Sequence, residues 1–206
     1  RAGALAQLLG KFTNPAGRGP PGILSRARQV LERAAQVLDP KTMQPVPRDG
    51  ETIGEIMFRG NVVMRGYLKN AKATAEALGD GWFHSGDMAK RDEEGFFYIV
   101  DRMKDMILTG GENVYSREVE EVIYTHPAVS EAAVIGLPDP TWGENVCAVI
   151  VLKPGMTATE SDIIMAVRDR LAGYKKPKRV FFIDEMPKTV SGKLIKKDLR
   201  ERFKDA

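Results

Sequence analysis

The seven-residue run Val146-Cys-Ala-Val-Ile-Val-Leu152 limits the fold more than any other stretch. Its β-branched side chains favour a strand, and apolar residues at both odd and even positions leave neither face for water. A strand over 145–153 is therefore buried on both faces. The neighbouring segments supply elements to cover it. Residues 129–137 read as a second strand, and Ser116 is placed to cap a helix with Val119, Val122 and Ile123 on one face, stopped by Pro127. Thr159-x-x-Asp162 opens another helix, with Ile163, Val167 and Leu171 at one-turn spacing. A strand over 180–183 and a last helix from about Leu194 complete a compact α+β unit.

Upstream the pattern is different. Residues 1–22 end in Asn14-Pro-Ala-Gly-Arg-Gly-Pro-Pro-Gly22, whose Pro and Gly density forbids regular structure, and 23–34 reads as a short helix. Strand-like runs follow at 37–38 and 52–59 with turns between them, as in a small β-sheet or barrel, and Asn70 can cap a helix to about Leu78. Phe96-Phe-Tyr-Ile-Val100 and Met106-Ile-Leu-Thr109 are β-rich, with the charged joint Asp101 to Asp105 between them. The expected organisation is an irregular segment at 1–34, a β-rich end of a larger domain at 35–101, and a mobile domain at 102–206 hinged at 102–105.

Composition bounds the function classes. Apolar residues make 43% of the 206 and charged ones 29%, which describes an ordinary globular protein. A formal charge of +3 is too small to argue for nucleic acid, and no apolar run approaches the ~20 residues of a membrane span. The single cysteine, Cys147, lies in the buried run and allows no intrachain disulfide, which fits a reducing, cytoplasmic setting. No cluster has metal-ligand spacing. The first residue is Arg rather than Met, as in a piece of a larger protein.

Chemistry concentrates in the tail Pro187-Lys-Thr-Val-Ser-Gly-Lys-Leu-Ile-Lys-Lys197. Pro187 fixes the entry, Thr189 and Ser191 offer hydroxyls, and Gly192 frees the backbone so that Lys193 projects ahead of a helix. An ammonium on a long stem suits a phosphate or carboxylate on which charge builds up. With His84-Ser-Gly-Asp87, Asp101-Arg-Met-Lys-Asp105 and Thr109-Gly-Gly-Glu-Asn113 in this order, the chain resembles the C-terminal part of the adenylate-forming enzymes. These are the acyl- and aryl-CoA synthetases, the adenylation domains of peptide synthetases and the beetle luciferases. The resemblance runs from about residue 28 to 203.

The resemblance implies that a carboxylic acid is joined to AMP at the expense of ATP, with Mg²⁺ arriving on the phosphates, and that the acyl-adenylate then passes to the thiol of CoA. Asp87 matches the aspartate that accepts both ribose hydroxyls, and Arg102 the arginine holding ribose or phosphates. Lys193 matches the lysine bridging acyl carboxylate and α-phosphate in the transition state. Lys104 falls on the hinge about which the small domain swings, and Gly110 and Gly111 match the loop lining the thiol tunnel. For the CoA nucleotide, Gly173-Tyr-Lys-Lys-Pro-Lys178 is the best candidate, with Tyr174 stacking on adenine, Lys176 and Lys178 meeting phosphates, and Trp142 as a second wall. His84 and His126 read as structural.

The family's phosphate loop and acyl pocket are not in residues 1–34, and Arg28-Gln29-Val30 departs from the usual Arg-Gln-Gly. The chain alone is therefore expected to be inactive without its N-terminal domain. Gly-Gly-Glu-Asn113 and the 174–178 run favour CoA as acceptor, and Met57 to Asn70 looks like fatty-acyl or aryl-acid CoA ligases. The alternatives are an adenylation domain serving a carrier protein, and a non-catalytic binding module using its basic tail. The tail also resembles a target of protein acetyltransferases and deacetylases, with Lys193 as the modified residue.

Overall fold

The computed structural model describes residues 34–61 and 63–205, so the linker and the helix expected before Ala34 lie outside the described residues. The chain divides into two compact units between Met103 and Lys104.

In the first unit, β1 (Ala35–Leu38), β2 (Ile53–Phe58), β3 (Phe83–Arg91) and β4 (Phe97–Arg102) form an antiparallel sheet in that order. Ala35, Val37, Ile56, Phe58 and Ala89 are its core. Helix α1 (Ala71–Ala77) starts at Asn70, whose Oδ1 accepts the Ala73 N–H at 3.0 Å. Strand β3 is absent from the sequence pattern because it is not regular. Met57 pairs with His84 and Glu55 with Met88, so three residues, Ser85, Gly86 and Asp87, stand opposite the single Ile56. Gly86 has φ +72°, open to glycine at little cost.

A 3₁₀ turn at Met103–Asp105 leads into the second unit. Its elements are β5 (Ile107–Thr109), β6 (Glu112–Val114), α2 (Ser116–Ile123), β7 (Val129–Asp139), β8 (Gly143–Leu152), α3 (Glu160–Arg168), β9 (Arg179–Phe182) and α4 (Lys196–Phe203). The sheet runs β6-β5-β8-β7, antiparallel throughout, with β9 added parallel to β8. β5 meets β8 at Gly143, and β9 joins farther along, between Cys147 and Ile150.

β8 has the two apolar faces expected of it, and each feeds a separate core. Val146, Ala148 and Ile150 pack with Val119, Ile123, Ile163 and Val167 of α2 and α3. Cys147 and Val149 point the other way, onto Ile135, Met186 and the α4 residue Leu199. Each Val, Ile, Leu or Met among them contributes roughly 1.5–3 kcal/mol when fully buried. Burial also pushes the Cys147 thiol up to about 11 from its ordinary value.

Helix starts follow local chemistry. The Thr159 hydroxyl accepts the Asp162 N–H at 3.2 Å while Asp162 Oδ2 accepts the Thr159 N–H at 2.8 Å, a reciprocal cap. Ser116 does not cap α2. Tyr115 holds the cap position without a side-chain bond, and Ser116 is the first helical residue, fully buried beneath the Lys196 ammonium. Two other boundaries shift: α3 ends at Arg168, leaving Leu171 beyond it, and α4 begins at Lys196, two residues after Leu194.

Candidate functional site

Asp87 and Arg102 are cross-strand partners in β3 and β4, and Arg102 Nε lies 3.3 Å from Asp87 Oδ1. The Asp87 side chain is 17% exposed and that of Arg102 60%. An aspartate and an arginine fifteen residues apart thus form one acceptor-donor pair at the unit's end. The bulge that carries Asp87 is held from β2. Glu55 Oε1 accepts the Gly86 N–H at 2.8 Å, and Glu55 Oε2 is 3.0 Å from His84 Nδ1. The Ser85 hydroxyl donates to the Ile56 carbonyl and accepts the Asp87 N–H at 3.0 Å.

In the second unit, Lys193 sits at the head of a tight hairpin. Lys188 and Leu194 form a β-bridge, the Thr189 N–H donates to the Lys193 carbonyl at 2.8 Å, and the Lys193 N–H donates to Thr189 Oγ1 at 3.1 Å. Gly192 turns the chain with φ +77°. Lys193 is exposed. Its neighbours are engaged: Lys188 Nζ lies 2.6 Å from Glu131 Oε2, and Lys196 Nζ lies 2.7 Å from Glu120 Oε1. Among the described residues no carboxylate lies within ion-pair distance of Lys193.

Gly110, Trp142 and Lys178 come together. The Gly110 N–H donates to the Trp142 carbonyl at 2.8 Å, and the Lys178 ammonium stands 5.7 Å from the Trp142 ring centre. Asp139 Oδ1 fixes that turn by accepting the Trp142 and Thr141 N–H groups, both at 2.8 Å, and these bonds hold its carboxyl below the ordinary range. Gly111 follows at φ +86°, between β5 and β6. Tyr174, Lys176 and Lys178 lie on and just after the 3₁₀ turn Gly173–Lys175. Tyr174 is exposed and Lys176 half-buried. Lys175 turns inward to Glu118 at 2.7 Å, its ammonium 5.8 Å from the Tyr174 ring centre.

Lys104 is exposed in the turn Met103–Asp105. The next residue is restrained, since Arg200 Nη2 of α4 donates to Asp105 Oδ1 at 2.9 Å. His126 accepts the Ala128 N–H, a structural contact at a helix end.

Several supporting carboxylates were not legible in the sequence. Glu55 is 2% exposed. Glu144 crosses Gly136 and accepts the Leu108 N–H at 2.8 Å, steadying β5 ahead of the Gly110-Gly111 turn. Glu120 accepts the Val134 N–H at 2.8 Å besides pairing with Lys196. The signal in each case was an acidic residue at an inward position of an amphipathic element.

Among the described residues, no three His, Cys, Asp or Glu side chains gather as metal ligands, and no helix is long and apolar enough to cross a membrane.

The model of the AMP-binding enzyme C-terminal domain family matches residues 118–193. The acetate–CoA ligase CCL3 of Humulus lupulus is 47% identical over 183 residues, which are 86% of this chain and 32% of that protein. A feruloyl-CoA synthase of Amycolatopsis sp is 52% identical over 160 residues, 78% of this chain and 32% of that one. ATP-bound MatB from Rhodopseudomonas palustris superposes with a TM-score of 0.78 at 40% identity, covering 84% of this chain and 34% of MatB. The chain thus spans about a third of the length of the curated relatives it matches. With the ordered motifs and the α+β unit that carries them, these likenesses establish that the chain belongs to the adenylate-forming enzymes and corresponds to their C-terminal part.

Proposed function

We propose that this chain supplies the C-terminal part of an AMP-forming carboxylate–CoA ligase, and that Lys193 is its adenylation cation. The observation that carries this is the state of the tail's charges. Lys188, Lys196, Arg200 and Lys204 meet carboxylates, and of the exposed tail cations that meet none among the described residues, Lys197 and Arg202 lie on α4 while Lys193 alone is presented by the hairpin. An unpaired ammonium held by backbone bonds is ready to meet an anion that arrives from outside the unit.

A carboxylate is a poor electrophile at neutral pH. Its oxygen attacks the α-phosphorus of ATP, the bond to the β-phosphate oxygen breaks, and pyrophosphate leaves with Mg²⁺ that came as part of the substrate. Lys193 would bridge the attacking carboxylate and the α-phosphate, where new charge in a dry site is worth several kcal/mol. Asp87 would accept the two ribose hydroxyls, with Arg102 beside it for ribose or phosphate oxygens. In the second step the CoA thiol attacks the acyl carbon and AMP leaves. That step needs Lys193 withdrawn, and Lys104 is our choice for the pivot. Gly110 and Gly111 would then line the thiol's path, with Trp142, Lys178, Tyr174 and Lys176 toward the CoA nucleotide.

The acid pocket and phosphate loop belong, on this account, to an N-terminal portion, so the isolated chain makes no acyl-adenylate. The relatives' names, acetate and feruloyl, span aliphatic and aromatic acids. The lone buried thiol supports a reducing compartment, and we place the chain in the cytosol. The exposed Lys193 hairpin also suits a protein acetyltransferase, and acetylation would erase the charge adenylation needs.

In a ligase ending in this chain, Lys193→Ala should abolish pyrophosphate exchange and spare thioester formation from supplied acyl-adenylate. Gly111→Leu should do the reverse. Equal slowing of one step by both changes would refute the assignment.

A further inference from the structure

We infer that Glu55 is a positioning residue for the nucleotide, acting through the bulge that presents Asp87; this rests on the nucleotide role proposed for Asp87. Glu55 lies in the middle of β2 between Gly54 and Ile56, and it is 2% exposed. A buried carboxylate is a costly way to fill an interior position unless each oxygen is engaged. Here both oxygens serve a single object. Oε1 accepts the Gly86 N–H at 2.8 Å and Oε2 is 3.0 Å from His84 Nδ1, so one side chain grips the bulge on both sides of Ser85.

The remaining contacts complete the clamp. The Ser85 hydroxyl spans from the Ile56 carbonyl to the Asp87 N–H. Three residues opposing one have no register of their own, and a slip by one residue would send Asp87 to the other face of the sheet. The Glu55 contacts choose the arrangement in which Asp87 faces Arg102 across the strands. A carboxylate that must meet two neighbouring hydroxyls at once tolerates little displacement, since an error of ~1 Å can cost ~10²-fold in rate. Glu55 touches no substrate in this scheme. Its work is to fix where Asp87 points.

The test is discrimination between ATP and 2′-deoxy-ATP, in pyrophosphate exchange by a ligase ending in this chain. The unaltered ligase should prefer ATP in kcat/KM, and Asp87→Ala should abolish the preference. If Asp87→Ala keeps it, the nucleotide assignment itself fails, whatever Glu55 does. Given loss in Asp87→Ala, Glu55→Leu, which can neither accept the Gly86 N–H nor bond His84, should lower the preference by about 10-fold or more while KM for the acid stays unchanged. A preference equal to that of the unaltered ligase would overturn the inference. His84→Phe removes one of the two partners and leaves Glu55 in place, so it serves if Glu55→Leu does not fold, and a fall in the same direction is expected. If neither variant accumulates as folded protein, Glu55 is a residue of stability and the inference falls.

Discussion

Replacing Gly110 with alanine separates two costs that the structure keeps together. Gly110 has φ +59°, and a left-handed alanine costs roughly 1–2 kcal/mol. A Cβ there would lie 2.7 Å from Trp142 Cε3, closer than carbon atoms approach. The Trp142 backbone is fixed by the Gly110 N–H and by Asp139, so its ring must swing away. That forfeits the Lys178 contact at 5.7 Å, worth about 0.5–1 kcal/mol at an exposed site, together with the ring's packing on the turn. Gly111 is the control: its φ is +86°, and an added Cβ meets nothing within 4 Å. Gly110→Ala should therefore cost ~1 kcal/mol more than Gly111→Ala, a difference of ~4–8 °C in Tm for a unit of this size. Thermal unfolding followed by tryptophan fluorescence reads it, in a Trp82→Phe background so that the signal belongs to Trp142. In a Trp142→Ala background, followed by circular dichroism, the two alanine changes should cost the same. Equal Tm losses in the Trp142-containing pair would refute the contact argument.

Other consequences follow from burial and charge. With its thiol raised to about 11, Cys147 is ~10⁻³ thiolate at pH 8, so a disulfide reagent should fail to modify the native chain and react at once in denaturant. Rapid reaction under native conditions would contradict the packing of β8. The side chains of Lys196 and Glu120 are 13% and 16% exposed, so Lys196→Ala should cost about 2–3 kcal/mol in urea unfolding by leaving Glu120 partly stranded. Lys188→Ala should cost less than ~1 kcal/mol, because its pair with Glu131 is 38% and 33% exposed. The reverse order would show that burial does not govern these pairs.

The elements whose local chemistry agrees with their packing were legible in the sequence. β8 announces itself by apolar residues on both faces, and the Thr159–Asp162 reciprocal cap and the Asn70 cap stand where their side chains point. What stayed hidden depends on contacts distant in sequence. β3 contains His84-Ser-Gly-Asp87, which reads as a turn until Glu55, 31 residues before Gly86, holds it as a bulge. β6 is a three-residue Glu-Asn-Val strand whose partner, not its composition, makes it a strand. Among the lysines near Tyr174, spacing cannot say which turns inward. Packing sends Lys175 to Glu118 and leaves Lys178 beside Trp142. The pairing of Asp87 with Arg102 likewise depends on the register of β3 against β4, which the composition of neither strand announces.

The account turns on Lys193 meeting the nucleotide. A lysine-reactive adenosine acyl-phosphate, applied to a ligase ending in this chain and read by peptide mass spectrometry, tests this most directly. Lys193 should be modified and protected by ATP, while the exposed Lys197, four residues on, should be neither preferred nor protected. Modification of Lys193 no faster than that of Lys197, with no protection by ATP, would contradict it.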